Sequence, residues 1–179
     1  PNAELMPQCL SDASIESARR FSRVGLRVAS IHFPLAFFSM LYTSHRSMME
    51  DGRRFTRDLL ALGDLCGTRV MVAHPQVPSD KGYPALLEDP VRDNLLWLAD
   101  ECAKHDVLVA MENSPKSCPT PEKLLAYVAK LGHPNIRPFV DTTEVREAGG
   151  VPYEFIAAVP PCHLHISDFK GDEKHLPAG

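Results

Sequence analysis

The final stretch, Cys162-His-Leu-His-Ile-Ser-Asp-Phe-Lys-Gly-Asp-Glu-Lys-His-Leu-Pro-Ala-Gly179, gathers three histidines and several acids around a short apolar segment. Read as a strand over 162–167, its period-two alternation sends Leu164 and Ile166 to one face and His163 and His165 to the other. A buried parallel strand is normally apolar on both faces. A face carrying histidines next to Asp168 and His175 therefore points to a metal or substrate site, the competing reading being a core histidine satisfied by a carbonyl. Four earlier apolar stretches end the same way: His32 follows 26–31, His74 follows 69–73, Glu112 follows 107–111 and Asp141 follows 136–140. Imidazoles mixed with carboxylates suit Zn²⁺, Mn²⁺, Co²⁺ or Fe²⁺ better than Ca²⁺.

The elements that must position these residues alternate. Helical spacing over 14–25, stopped by Gly25, precedes the stretch ending at His32. Segment 33–44 is too apolar for an ordinary surface loop, so it lines a pocket, meets a partner or tucks against its own fold. Met48, Phe55, Leu59, Leu62 and Cys66 mark a second helix with Gly67 as its cap, and the polar connection 76–89 is long enough for an active-site flap or a simple excursion. Asp89-Pro90 opens a third helix with Val91, Leu95, Leu98 and Cys102 as its buried stripe. Thr120-Pro121 opens a fourth, closed by Gly132, and a short one spans about 152–159. Strict alternation of five strands with helices predicts parallel strands, in a doubly wound sheet or a (β/α)8 barrel. In a barrel the C-terminal ends of all strands converge on one mouth, where His32, His74, Glu112, Asp141 and His165 would meet.

Composition narrows the classes. The 179 residues are 44% hydrophobic and 23% charged, enough for one core and one domain. A formal net charge of −4 gives no general attraction to nucleic acid, and Arg19, Arg20, Arg23 and Arg27 read as a solvated helix face. No apolar run approaches a membrane span, so no membrane partner is expected. Five scattered cysteines without C-x-x-C spacing read as reduced thiols in a cytoplasmic protein, with Cys66 and Cys102 buried on helices. Neither G-x-G-x-x-G after the first strand nor G-x-x-x-x-G-K-[ST] is present, so dinucleotide and P-loop readings have no support.

With the strand ends in view, the chain resembles the xylose-isomerase-like TIM-barrel superfamily. The resemblance rests on Ile31-His-Phe-Pro34, Val72-Ala-His-Pro75, Ala110-Met-Glu-Asn113, Phe139-Val-Asp-Thr142 and His163-Leu-His-Ile-Ser-Asp168, followed by His175-Leu-Pro177 and Gly179. It implies a partial (β/α)8 barrel, about five of eight strands, forming a single domain over 1–179 that is incomplete at both ends. It also implies one divalent metal ion (Mn, Zn, Co or Mg) held by Glu112, Asp141 and His165, with Glu112 also exchanging a proton next to a substrate carbonyl through an enediolate. His32, His74, Lys170 and His175 would bind substrate, and Asp168 and Glu144 would stand behind the ligands.

The expected activity is that of a sugar, polyol or sugar-phosphate isomerase or epimerase, with a homo-oligomer plausible through the apolar segment 33–42. Two departures from the family pattern stand out. The family often has Asp-Thr-x-His where this chain reads Asp141-Thr-Thr-Glu144, and a glutamate from the eighth strand is not in the sequence. The first argues against the rival reading, an apurinic-endonuclease-like zinc phosphodiesterase. The second leaves open a barrel fragment without activity.

Overall fold

The computed structural model describes residues 2–7, 12–75, 89–171 and 173–177. Six strands run parallel in the order β1 (Asn2–Leu5), β2 (Arg27–His32), β3 (Val70–Ala73), β4 (Leu108–Glu112), β5 (Ile136–Asp141) and β6 (Leu164–His165). The sheet is part of a (β/α)n barrel. Between the strands lie α1 (Asp12–Arg23), the short α2 (Phe38–Leu41), α3 (Arg46–Cys66), α4 (Asp89–Lys104), α5 (Pro121–Leu131), α6 (Thr142–Glu147) and α7 (Pro152–Ala158). An antiparallel hairpin, β7 (Asp168–Lys170) with β8 (Glu173–Leu176), follows β6.

The helices start and stop where their caps dictate. Thr120 accepts the Lys123 N–H at 3.4 Å and Pro121 takes the first turn of α5, whose left-handed Gly132 bonds back to Val128. Gly67, at φ 67°, closes α3 in the same way. Val91, Leu95, Leu98 and Cys102 are all buried and form the inner stripe of α4. Beneath the helices, Met71, Ala73, Val109, Met111 and Val140 carry the sheet's contribution to the main core. Arg19, Arg20, Arg23 and Arg27 are exposed, and Glu16 pairs with Arg23 at 3.2 Å.

Three expectations are corrected. The sheet has six parallel strands where hydrophobic pattern showed five: β1 is four residues long and half polar, so periodicity alone cannot mark it. The strand expected over 162–167 shrinks to Leu164–His165, and Ile166 is 65% exposed instead of sharing a face with Leu164. The cause is side-chain competition for the ladder. Thr142 Oγ1 donates to the Ser167 carbonyl and accepts the Ser167 N–H, both at 3.1 Å, and Thr143 Oγ1 meets Ser167 Oγ at 2.6 Å. Cys66 is half-buried, not buried, whereas Cys102 is buried as expected.

Segment 33–44 tucks against its own chain. Phe33 packs on Phe38 and Phe55 with ring centroids about 6 Å apart, and the buried Asn94 amide on α4 donates to the Met40 and Leu41 carbonyls at 3.3 and 3.0 Å. The connection 76–88 and Cys9 lie outside the described residues. Among the described residues no helix is long and apolar enough to cross a membrane. Truncating the fully buried Leu98 to Ala is expected to lower unfolding free energy by about 2–5 kcal/mol in urea denaturation, through lost transfer energy and the cavity left against the sheet.

Candidate metal and substrate site

The parallel ladder brings the strand ends to one level. Asp141 and His165 are register partners on β5 and β6, Glu112 ends β4, His32 ends β2, His74 follows β3 and Glu4 lies on β1. The pairing between β4 and β5 is reinforced by the buried Asn113, whose amide oxygen accepts the Asp141 N–H at 2.7 Å and whose amide nitrogen donates to the Asp141 carbonyl at 3.3 Å. The Asp141 side chain has two jobs. Oδ1 caps α6 by accepting the Thr143 and Glu144 N–H groups at 2.7 and 3.2 Å, which leaves Oδ2 to face His165 Nδ1 at 3.4 Å.

Glu112 sits at the centre and is 2% exposed. Its Oε1 is 3.7 Å from His165 Nδ1, and its Oε2 is 2.8 Å from His74 Nε2 and 3.6 Å from His32 Nε2. His32 Nδ1 lies 2.8 Å from the Phe33 carbonyl oxygen, so that nitrogen carries the proton and Nε2 is left as an acceptor. His74 Nε2 approaches it at 3.2 Å. Glu112 Oε2 is buried and makes no well-aligned hydrogen bond, although His74 Nε2 lies beside it. Buried polar atoms in folded proteins are almost always paired, so an orphaned carboxylate oxygen among imidazole nitrogens fits a site for a cation. One ligand atom from each of Glu112, Asp141 and His165 falls within 4.8 Å of the others, and the same holds for His32, His74 and Glu112, and for Glu4, His163 and His165.

Electrostatics follow this crowding. Burial alone would raise the Glu112 carboxyl, but His165, His32 and His74 hold it well below the usual carboxylate range. Burial works against charge on His165, yet Asp141, Glu112 and Glu4 push it up to about 11. His74 is also raised, with Glu112 overcoming burial. Glu144 moves the other way, to about 7, because burial and the neighbouring Glu112, Glu147 and Asp141 all oppose its negative charge.

These groups border a cavity of about 550 Å³, a size suited to a small ligand, in which Met6, Leu35, Leu164 and Ile166 supply the apolar wall. Of the residues singled out from sequence, His32, His74, Glu112, Asp141, Glu144, His165 and His175 all line it. His175 reaches it from β8 with a left-handed φ of 55°. Asp168 is partly buried at the start of β7, in register with Leu176, and Lys170 is exposed at the hairpin turn. Glu4 was not found from sequence. A lone acid in Ala3-Glu4-Leu5 has no motif around it, and only its strand neighbours give it meaning: Ser30 Oγ donates to Oε2 at 2.6 Å and His165 Nε2 lies 3.1 Å away.

Residues 7–179 match the family described as xylose isomerase-like TIM barrel. The chain belongs to that family. Among solved structures, one described as a D-tagatose 3-epimerase-like protein shares 20% identity at a TM-score of 0.78, covering 97% of this chain and 70% of that one. D-allulose 3-epimerase from Methylomonas sp., in complex with D-allulose, gives 17% identity and a TM-score of 0.69 over 93% of this chain and 60% of that one. A Thermus thermophilus protein soaked with ZnCl₂ gives 21% and 0.63, over 94% and 68%. This member of the xylose isomerase-like family thus spans about 60 to 70% of the length of these three structures. No curated protein matches the chain in sequence.

In the cation-free protein the raised Glu144 has a measurable consequence. Its folded value of about 7 lies above the ordinary value of 4.5, so between these the native state holds a proton that the unfolded chain has released. Stability therefore falls as pH rises through this window. Glu144→Gln removes that fall. In urea titrations with chelator, the variant's advantage over wild type is expected to grow by about 1–2 kcal/mol from about pH 5 to pH 8, after allowance for solvent screening at this partly exposed site.

Proposed function

We propose that this chain carries the metal centre of a sugar or polyol isomerase or epimerase that moves a proton at a carbon next to a carbonyl. The observation that carries this reading is the buried Glu112 Oε2, which makes no well-aligned hydrogen bond although it stands among imidazoles that line the cavity. Two of the similar structures, described as a D-tagatose 3-epimerase-like protein and a D-allulose 3-epimerase holding D-allulose, support the choice of substrate class. The zinc-soaked structure is consistent with a cation in this fold.

Glu112, Asp141 and His165 would hold one divalent ion through Glu112 Oε1 or Oε2, Asp141 Oδ2 and His165 Nδ1. When bound, the ion supplies Lewis acidity that offsets negative charge developing on a substrate carbonyl oxygen. The chain's own groups do the rest. Glu112, kept ionised by its histidines, is the group that takes the proton from the substrate carbon. His74, a quarter exposed, borders the cavity from one side and His175 from the hairpin side, each able to meet a substrate hydroxyl, while His32, with both ring nitrogens engaged, backs His74 at the wall. Glu144, whose carboxyl is raised to about 7 in the cation-free protein by burial and the neighbouring acids, lines the cavity beside these groups and can exchange a proton there. Lys170, exposed on β7, would meet only a substrate group that extends beyond the cavity, such as a phosphate.

A phosphodiesterase of the apurinic-endonuclease type is the second reading. It is favoured by one observation: the His32, His74, Glu112 group and the Glu112, Asp141, His165 group share one carboxylate, as two neighbouring cations would need. The net charge of −4 and the carboxylate at Glu144 weigh against a nucleic-acid substrate.

Incubation with ketose and aldose pairs in D₂O, with Mn²⁺ or Zn²⁺ present, separates the readings. Deuterium is expected to enter at the carbon beside the carbonyl as the epimer or isomer appears, and Glu112→Gln should slow this by about 10²–10⁴-fold. No exchange with any such sugar, together with cation-dependent cleavage of abasic DNA, would transfer the assignment to the second reading.

A further inference from the structure

Of the three proposed ligands, His165 is the least fixed by its own strand. Glu112 and Asp141 are buried, and Asp141 is held by Asn113 on one side and by its capping bonds to α6 on the other. His165 ends a strand of only two residues, with its side chain 26% exposed. An imidazole offers two nitrogens on different edges, so a site needs something to decide which one faces the ion. Glu4 stands on the far side of the ring. Its Oε2 lies 3.1 Å from His165 Nε2, while Nδ1 faces Asp141 Oδ2 at 3.4 Å and Glu112 Oε1 at 3.7 Å. Glu4 Oε2 is in turn held by Ser30 Oγ at 2.6 Å, a hydroxyl on a residue that is 1% exposed.

We propose that Glu4 on β1 is a positioning residue: it accepts the Nε2 proton of His165, fixes the ring, and thereby presents Nδ1 to the cation at Glu112 and Asp141. Ser30 sets Glu4 in turn, so the relay runs Ser30, Glu4, His165 from strand β2 through β1 to β6. A carboxylate behind a metal-bound imidazole is a general device for setting tautomer and ligand basicity. Here it also ties the first strand of the sheet to the sixth through one side-chain contact. This inference rests on the metal centre proposed above.

The test is calorimetric titration of the full chain with Mn²⁺ and Zn²⁺, backed by the visible spectrum of the Co²⁺ form. Glu4→Leu, which fills similar space without an acceptor, is expected to weaken binding about 10–100-fold with unchanged stoichiometry and a shifted Co²⁺ spectrum. Glu4→Gln, which keeps an acceptor oxygen, should recover most of that affinity, and Ser30→Ala should lose several-fold. Wild-type affinity in Glu4→Leu overturns the proposal, as does wild-type affinity in Ser30→Ala if the leucine variant does not fold. Equal loss in the leucine and glutamine variants with one fewer ion bound also overturns it, by making Glu4 a ligand itself. A wild-type chain that binds no divalent ion removes the metal centre and this inference together, whereas binding that is indifferent to Glu4 removes the inference alone.

Discussion

A carboxylate cannot be taken out of water unless something offsets its charge, and in this protein Glu112 is buried at the end of a central strand. Three histidines from three other strand ends answer it: His32, His74 and His165. Much of the local structure serves that arrangement. Asn113 pins β4 to β5 at the level of Asp141, the α6 cap turns one Asp141 oxygen away from the centre, and the Phe33 carbonyl decides which nitrogen of His32 faces inward. The offset is one of proximity and not of full hydrogen bonding, because Glu112 Oε2 makes no well-aligned hydrogen bond to the imidazoles around it. A fold optimised for stability alone would pair that oxygen or replace the residue with an apolar one.

A parallel sheet makes such convergence possible. Every strand in it points the same way, so the residue at each C-terminal end reaches the same face, and chemistry can be distributed over segments far apart in sequence. His32 and His165 are separated by most of the chain, yet their rings stack with centroids 6.4 Å apart. Leu98 and Cys102 on α4 and Leu124 and Leu131 on α5 share one buried core with Val109 and Met111 of β4 and Val140 of β5, the strands that end in Glu112 and Asp141.

The strands β2 to β5 were legible in the sequence because each is an apolar run closed by a polar residue, and the ligand candidates were legible because they were those closing residues. Glycines and prolines at helix ends made α3, α4 and α5 readable too. What escaped was short or depended on partners distant in sequence. β1 has only four residues, too few for their polar–apolar alternation to mark a strand, so Glu4 had no context until Ser30 and His165 appeared beside it. β6 was overextended because the capture of Ser167 by Thr142 and Thr143 is a contact between residues some 25 apart, invisible to any local pattern. The hairpin of β7 and β8 was missed for a related reason: Gly171 and the left-handed His175 shape it, and neither stands out in a polar stretch. Sequence thus showed which groups could do chemistry, while side-chain contacts across the sheet decided which of them meet.

The central claim is that the ends of β4, β5 and β6 form one cation site. Anomalous diffraction from crystals soaked in Mn²⁺ or Zn²⁺ tests it most directly. The account predicts a peak about 2.0–2.3 Å from a Glu112 oxygen, Asp141 Oδ2 and His165 Nδ1. Full occupancy elsewhere, or no peak among these residues at saturating metal, would contradict it.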